Sequence, residues 1–198
     1  MKKILLSLGA AFLLAAGAQA QVSYGIKAGL NLPKMTVSSG NASVSTSTST
    51  NFYLTGYADL PVAPSFSIQP GLSLQGKGGK SKFTDNIESK TDLMYLEVPV
   101  NAVYYIPAGA GNVFLGAGPY VGYGISGKTK TGDVKNDVEW GDDGLKRFDF
   151  GINTMLGYKL SNGFLINAGY GFGLTDISGA SNGSVKNNVL SFGVGFQF

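Results

Sequence analysis

The sequence contains no cysteine, no histidine and a single tryptophan, Trp140. Without cysteine an exported chain of this size cannot be a disulfide scaffold, and it lacks the residue that would carry a lipoprotein anchor. Without histidine the usual base for hydrolysis near neutral pH is missing, and so are most transition-metal sites. Nothing in the residues clusters as a catalytic set, so an enzyme is not expected. Neither sign of charge dominates. The 15 basic residues, two of them Lys2 and Lys3, nearly balance the 12 acidic ones, which gives nucleic acid no claim as a partner. No amphipathic helical period occurs after residue 20.

The one long apolar run, Ile4 to about Ala16, follows Lys2 and Lys3 and precedes Ala18-Gln19-Ala20. It is too short for a membrane-spanning helix and has the layout of a secretory signal peptide. Residues 1–20 are therefore expected to be removed between Ala20 and Gln21, leaving 21–198 as one exported domain.

The chain is rich in 30 Gly, 12 Phe and 10 Tyr, arranged with a period of two, the mark of strands with two different faces. Eight segments alternate: Val22-Lys34, Asn51-Leu60, Ser65-Gln75, Met94-Ile106, Val113-Ser126, Arg147-Leu160, Phe164-Thr175 and about Lys186 to Phe198. In the first, Tyr24, Ile26, Ala28 and Leu30 oppose Ser23, Lys27 and Asn31. In the last, Leu190, Phe192, Val194, Phe196 and Phe198 oppose Ser191, Gly193, Gly195 and Gln197.

Short connections (Pro61-Pro64, Pro107-Gly111, Ser161-Gly163) alternate with long, charged ones (Met35-Thr50, Gly76-Leu93, Gly127-Lys146, Ile177-Val185). Short turns at one end and long polar loops at the other predict an all-β fold: an eight-stranded antiparallel up-and-down transmembrane β-barrel. About ten residues per strand, tilted, span roughly 25 Å, the height of the apolar band in such barrels. The apolar phase also carries two rings of aromatics. Tyr24, Phe66, Tyr104, Tyr158, Phe164 and Phe198 lie at the short-turn end, and Phe52, Tyr123 and Phe148 at the long-loop end. Outer-membrane residence with both mature termini periplasmic follows as an expectation. So do lipid and lipopolysaccharide as surroundings, the barrel-insertion machinery as an assembly partner, and an unknown partner at the cell surface.

Pro70, Pro99 and Pro119 fall inside strands, where a closed barrel has no free edge to excuse a missing N–H; bulges are expected there. The stretches SIQPGLSLQGKG, YLEVPV, FLGAGPYVGYGISGK and FDFGINTMLGYKL resemble the PorT-like small outer-membrane β-barrel family of Bacteroidota, over essentially the whole mature chain. The resemblance implies the fold and the location. Its motifs are structural, and some members of the family are linked to a protein-secretion system.

Lys27, Asp59, Glu97, Asp149 and Lys159 fall on the polar phase. An eight-stranded barrel is just filled by side chains, so these charges are expected to pair inside it as a structural network. Inward glycines (Gly116, Gly118, Gly122, Gly169, Gly171, Gly173) leave room for a narrow cavity. Gly76-Lys77-Gly78-Gly79-Lys80-Ser81 lacks the first glycine of a P-loop and predicts a flexible basic surface hairpin. Asp133, Asp137, Glu139, Asp142 and Asp143 surround Trp140 without EF-hand spacing and predict a solvated loop. Asp137, Glu139, Asp142 and Asp143 are the weak candidates for surface calcium, and no cofactor is expected. The SVSTSTST tract predicts a mobile first loop or a strand extension above the membrane.

Phe192, Phe196 and Phe198 close the sequence as alternating aromatics, and this ending resembles the signal read by the barrel-insertion machinery. The expected function is non-enzymatic, structural or surface-interacting. The alternatives are a narrow channel or small hydrophobic solute transport, and an accessory part in secretion.

Overall fold

In the computed structural model the described residues are 22–40, 42–84, 87–141, 144–179 and 183–198. The expected leader and its cleavage point, Ala20 and Gln21, lie outside them, as do Asp142 and Asp143. The strands are β1 (Ser23–Ser39), β2 (Ala42–Ser45), β3 (Asn51–Ala63), β4 (Phe66–Thr84), β5 (Ile87–Ala108), β6 (Gly111–Thr131), β7 (Val134–Asp137), β8 (Phe148–Leu160), β9 (Phe164–Gly173) and β10 (Ser184–Gln197).

Every strand pair is antiparallel. The order runs β10-β9-β8-β6-β5-β4-β3-β1, and β10 also pairs with β1. Eight staves therefore form a closed ring. The short β2 and β7 fold back on β1 and β6. The closing seam runs through fourteen residue pairs, from Gly25↔Gln197 to Ser38↔Ser184. A register line leaving β1 at Lys34 passes Asn188, Phe172, Ile152 and Pro119. It then crosses Val100, Pro70 and Ala58 and returns to β1 at Tyr24. That stagger of about ten residues is the shear that tilts the staves and closes the ring.

The two phases divide as the alternation requires. Tyr24, Ile26, Leu30, Val98, Leu115, Val121, Phe150, Ile166, Phe192 and Val194 are exposed around the outside, while Lys27, Asn31, Asp59, Gln69, Glu97 and Asp149 are buried within. Apolar residues in lipid and polar residues indoors invert the pattern of a soluble protein.

Two expectations change, and a third is decided between its two alternatives. The strands are longer than the alternation suggests: β4, β5 and β6 run to 19, 22 and 21 residues. They continue as a sheet through residues expected to be loop, because charged and glycine-rich strand above the membrane gives no hydropathic alternation. The Ser/Thr tract is a strand extension, since β2 pairs with β1. The ladder on that side breaks at Pro33, whose carbonyl accepts from Ser49 N–H at 3.0 Å but which has no N–H to return.

The strand prolines mark no bulges. Val100 pairs with Pro70, and Tyr120 with Pro99, so the three sit at adjoining positions of β4, β5 and β6. Beside each, two residue pairs drop out of the ladder, which then resumes in the same register. The register shifts lie elsewhere, at Pro61/Ala63, Lys82/Thr84 and Met94/Tyr95. A proline removes a donor without adding chain length, so the partner strand has no residue to loop out.

Candidate functional site: the barrel lumen and its outer mouth

Polar side chains reach the lumen because every second residue of each stave points inward. At the level where β4, β5 and β8 meet, Lys77 Nζ lies 2.9 Å from Glu97 Oε2 and 3.0 Å from Asp149 Oδ2. The three side chains are 3%, 2% and 0% exposed, so this is a fully desolvated ionic triad. The ammonium also sits 4.1 Å from the ring centroid of Tyr120 and 5.1 Å from that of Tyr95. Asn187 donates to Asp149 Oδ2 at 3.0 Å, and Asn153 to Glu97 Oε1 at 3.1 Å. One cation thus holds two carboxylates; aromatic faces complete its shell, and the two amides donate to the carboxylates.

Glu97 and Asp149 come together here, but not with the lysines expected from the sequence. Lys77, read as part of a surface hairpin, is the central cation. Its phase continues Gln69, Ser73 and Gln75 on β4, and that continuity was the available signal. The flanking Gly76, Gly78 and Gly79 hid it by carrying no side chain to mark the alternation.

A second group lies toward the short turns. Asp59 Oδ1 accepts from Gln69 Nε2 at 2.9 Å and from Tyr105 Oη at 3.2 Å, and Oδ2 accepts from Gln197 Nε2 at 3.2 Å. Lys27 lies over the Tyr57 ring at 4.2 Å and donates to Met155 Sδ at 3.7 Å. Lys159 lies over the Tyr105 ring at 4.6 Å. The five expected interior charges therefore divide between two levels, with neutral donors and tyrosine faces doing at the lower level what the ion pairs do above.

Glycine supplies the space. A Cβ on Gly25 would meet the Tyr57 ring, one on Gly151 the Tyr120 ring, one on Gly157 the Phe114 ring, and one on Gly193 the Tyr53 hydroxyl and the Ala28 carbonyl. Tyr53 in turn is hydrogen-bonded to Asn167 across the lumen. Of the inward glycines expected to leave room, Gly116 faces Met155 and Val103, Gly122 the Tyr95 ring, Gly169 the Ser191 hydroxyl and Gly171 the Asn153 amide, while a Cβ on Gly118 or Gly173 would meet backbone. Gly193→Ala is expected to cost about 1–3 kcal/mol of overpacking. The check is a lower temperature for the gel-mobility shift that accompanies barrel unfolding.

Two apolar clusters accompany these levels, one interleaved with the lower polar group and one beyond the triad. Val103, Phe114 and Leu165, with Tyr105 and Met155, pack near the short turns. Leu93, Tyr95 and Ile177, with Val138, Trp140, Leu145 and Val185, pack at the outer mouth. Between Lys77 and Lys27 is a cavity of about 90 Å³ lined by Glu97, Asn101, Asn153, Met155, Asn167 and Ser191 among others.

The outer cluster corrects the reading of a solvated Trp140 loop. Trp140 packs edge-on against Tyr95 at 6.1 Å, Arg147 lies 5.0 Å over the Trp140 ring, and Arg147 Nη1 donates to the Gly124 carbonyl at 2.8 Å. Leu145 bridges to Ser178, which ties this segment to the last long connection. Asp176 secures that connection. Partial burial works to raise its pKa, but N–H groups of Val185 and Ser178, with Lys146 and Lys186 nearby, outweigh this and hold the carboxyl below its usual range.

Of the acidic residues considered for calcium, Asp137 lies on β7 opposite Lys128, and the Glu139 carbonyl accepts from Leu145 N–H at 2.9 Å. No three potential metal ligands converge among the described residues.

A closed antiparallel ring of eight staves, apolar outside and polar within, defines an integral outer-membrane β-barrel protein. Residues 17–179 match the family described as outer membrane protein beta-barrel domain, and the chain belongs to that family. No curated protein matches it in sequence.

Among solved structures, it is similar to OprG from Pseudomonas aeruginosa (16% identity, 90% of this chain and 97% of that one, TM-score 0.48). It is also similar to Ail, the attachment invasion locus protein of Yersinia pestis (14% identity, 90% and 99%, TM-score 0.47). A third is the outer membrane protease OmpT from Escherichia coli (10% identity, 89% and 96%, TM-score 0.45). At such identities no activity is carried over.

Proposed function

We propose that the protein is a non-enzymatic, non-conducting outer-membrane barrel, anchored as a structural element that presents its long hairpins at the cell surface. The observation that carries this reading is the filling of the lumen. One apolar cluster stands at the outer mouth and another is interleaved with the lower polar group, the Lys77–Glu97–Asp149 triad stands between them, and the cavity left among them is about 90 Å³. The triad is satisfied internally, so its own cation is not free to draw ions along the axis. Lys77, the most buried cation, is committed to two carboxylates and cannot act as a base while so held.

On this reading the leader of residues 1–20 is removed, both ends of the 21–198 domain face the periplasm, and β2, β7 and the protruding parts of β4–β6 face outward. The short turns at one end and the long hairpins at the other support that orientation. The narrower PorT-like assignment rests on the four stretches quoted above.

Purified protein reconstituted in planar bilayers is expected to give no single-channel events. A reproducible unitary conductance would overturn the reading in favour of a channel.

A further inference from the structure

The hairpin sheet that rises above the membrane belt holds an unusual row of charges. Lys80 on β4 pairs with Lys90 on β5, Lys90 pairs with Lys130 on β6, and Lys130 pairs with Lys135 on β7. Paired residues in an antiparallel ladder point to the same face, so four ammonium groups lie side by side across four strands. Like charges directly opposite destabilise a sheet, and here the fault is repeated three times in succession.

The neighbouring row shows that the arrangement is local. There Lys128 stands opposite Asp92 on one side and Asp137 on the other, so unlike charges face each other. In the lysine row, Lys80 reaches Glu88 at 3.3 Å and Lys90 reaches Asp92 at 2.7 Å, with side chains about one-third exposed. Lys130 and Lys135, both exposed, form no ion pair among the described residues.

The outer-mouth cluster begins below the row, at Leu93, and the opposite face directly behind the row is polar. That face carries hydroxyl pairs, Ser89 with Thr131 at 2.9 Å and Thr91 with Thr129 at 3.2 Å. The sheet therefore keeps a repulsive row without a hydrophobic core directly behind it.

The row also faces a definite direction. Below the register shift at Met94/Tyr95 the outward phase of β5 and β6 carries Leu96, Val98, Val121 and Tyr123, all lipid-exposed. Lys90 and Lys130 continue that outward phase. They lie on the order of 15 Å above Leu96 and Tyr123 at the usual strand rise and tilt. Side chains at that height, pointing sideways out of the barrel, meet the headgroup layer of the surrounding leaflet before they meet anything in solution.

We propose that the outward face of β4, β5, β6 and β7 is a docking surface for the phosphorylated headgroup of an outer-leaflet glycolipid, with Lys130 and Lys135 as its principal phosphate contacts and Lys80 and Lys90 flanking them. Phosphate oxygens placed over the row turn three repulsive contacts into bridged ones. The same contacts fasten the protruding sheet to the membrane surface.

The test uses the full folded barrel in a zwitterionic detergent, titrated with a diphosphorylated diglucosamine glycolipid, with its dephosphorylated form, or with inorganic pyrophosphate. The wild type is expected to bind the diphosphorylated glycolipid with an affinity that falls as salt rises. Lys130→Gln/Lys135→Gln is expected to bind it roughly thirtyfold more weakly, at the surface value for two lysines. Without glycolipid the double variant is expected to unfold at the same or a higher temperature than the wild type, because two like-charge contacts are gone. A purely structural role would move stability the other way.

Equal glycolipid affinity in wild type and variant would overturn the proposal, as would equally tight binding of the dephosphorylated form. Displacement of the glycolipid by pyrophosphate at matching concentration would assign the row to a soluble phosphate instead.

Discussion

Lys77→Met is expected to cost the barrel about 3–5 kcal/mol, the usual result of stranding buried charge by removing its partner. Here the removal leaves two carboxylates, Glu97 and Asp149, at 2% and 0% exposure with no cation between them. The methylene stem is roughly conserved by Met, so the loss measures charge more than volume. Equilibrium unfolding in detergent, or the temperature of the gel-mobility shift, reads the effect.

A second variant separates electrostatics from packing. Lys77→Met/Glu97→Gln/Asp149→Asn removes all three charges while keeping the shapes, and it is expected to recover most of the stability lost by the single change. If Lys77→Met alone is as stable as the wild type, the triad does not hold the lumen together. If the triple variant is worse than the single one, the hydrogen bonds from Asn153 and Asn187 matter more than the ion pairs.

Phe198→Asp is expected to reduce the membrane-inserted fraction by about tenfold or more while costing the assembled barrel only ~1–2 kcal/mol, the share owed to a partly lipid-covered ring. Phe198 N–H donates to the Tyr24 carbonyl at 2.9 Å, and Tyr24 N–H donates to the Phe198 carbonyl at 3.2 Å. The backbone thus ends the β10–β1 seam. Phe198 is 71% exposed, and its ring stacks on Phe196 at 6.4 Å. Its contribution to the finished barrel is small, so a large assembly defect would mean that the ring is read during insertion. Quantifying inserted protein in membranes alongside the unfolding free energy of the purified variant distinguishes the two roles. Normal insertion of Phe198→Asp would reduce the tail to a closing strand.

The sequence alone determined the parts of this protein that follow from a period of two. Alternation placed Tyr24, Ile26, Leu30, Phe192 and Val194 on one face and Lys27, Asn31 and Gly193 on the other. The connection lengths then set the up-and-down order. These are local consequences of backbone geometry, and a membrane makes them legible because lipid demands apolar residues without interruption on one phase.

The tertiary structure decided what lies along the inward phase. Lys77 could be assigned to the lumen only once β4 was seen to run on through Gly76, Gly78 and Gly79 to Thr84. Its two partners come from β5 and β8, 20 and 72 residues away in sequence, and are brought to it by the shear of the ring. Trp140 likewise became part of a mouth-closing cluster through contacts with Tyr95 and Arg147. The Lys80–Lys90–Lys130–Lys135 row exists only as a consequence of register. Polar residues inside a barrel carry no hydropathic signature that separates them from polar residues in water. Which of them meet is therefore set by how far each stave slides past its neighbour, and no single stave encodes that displacement.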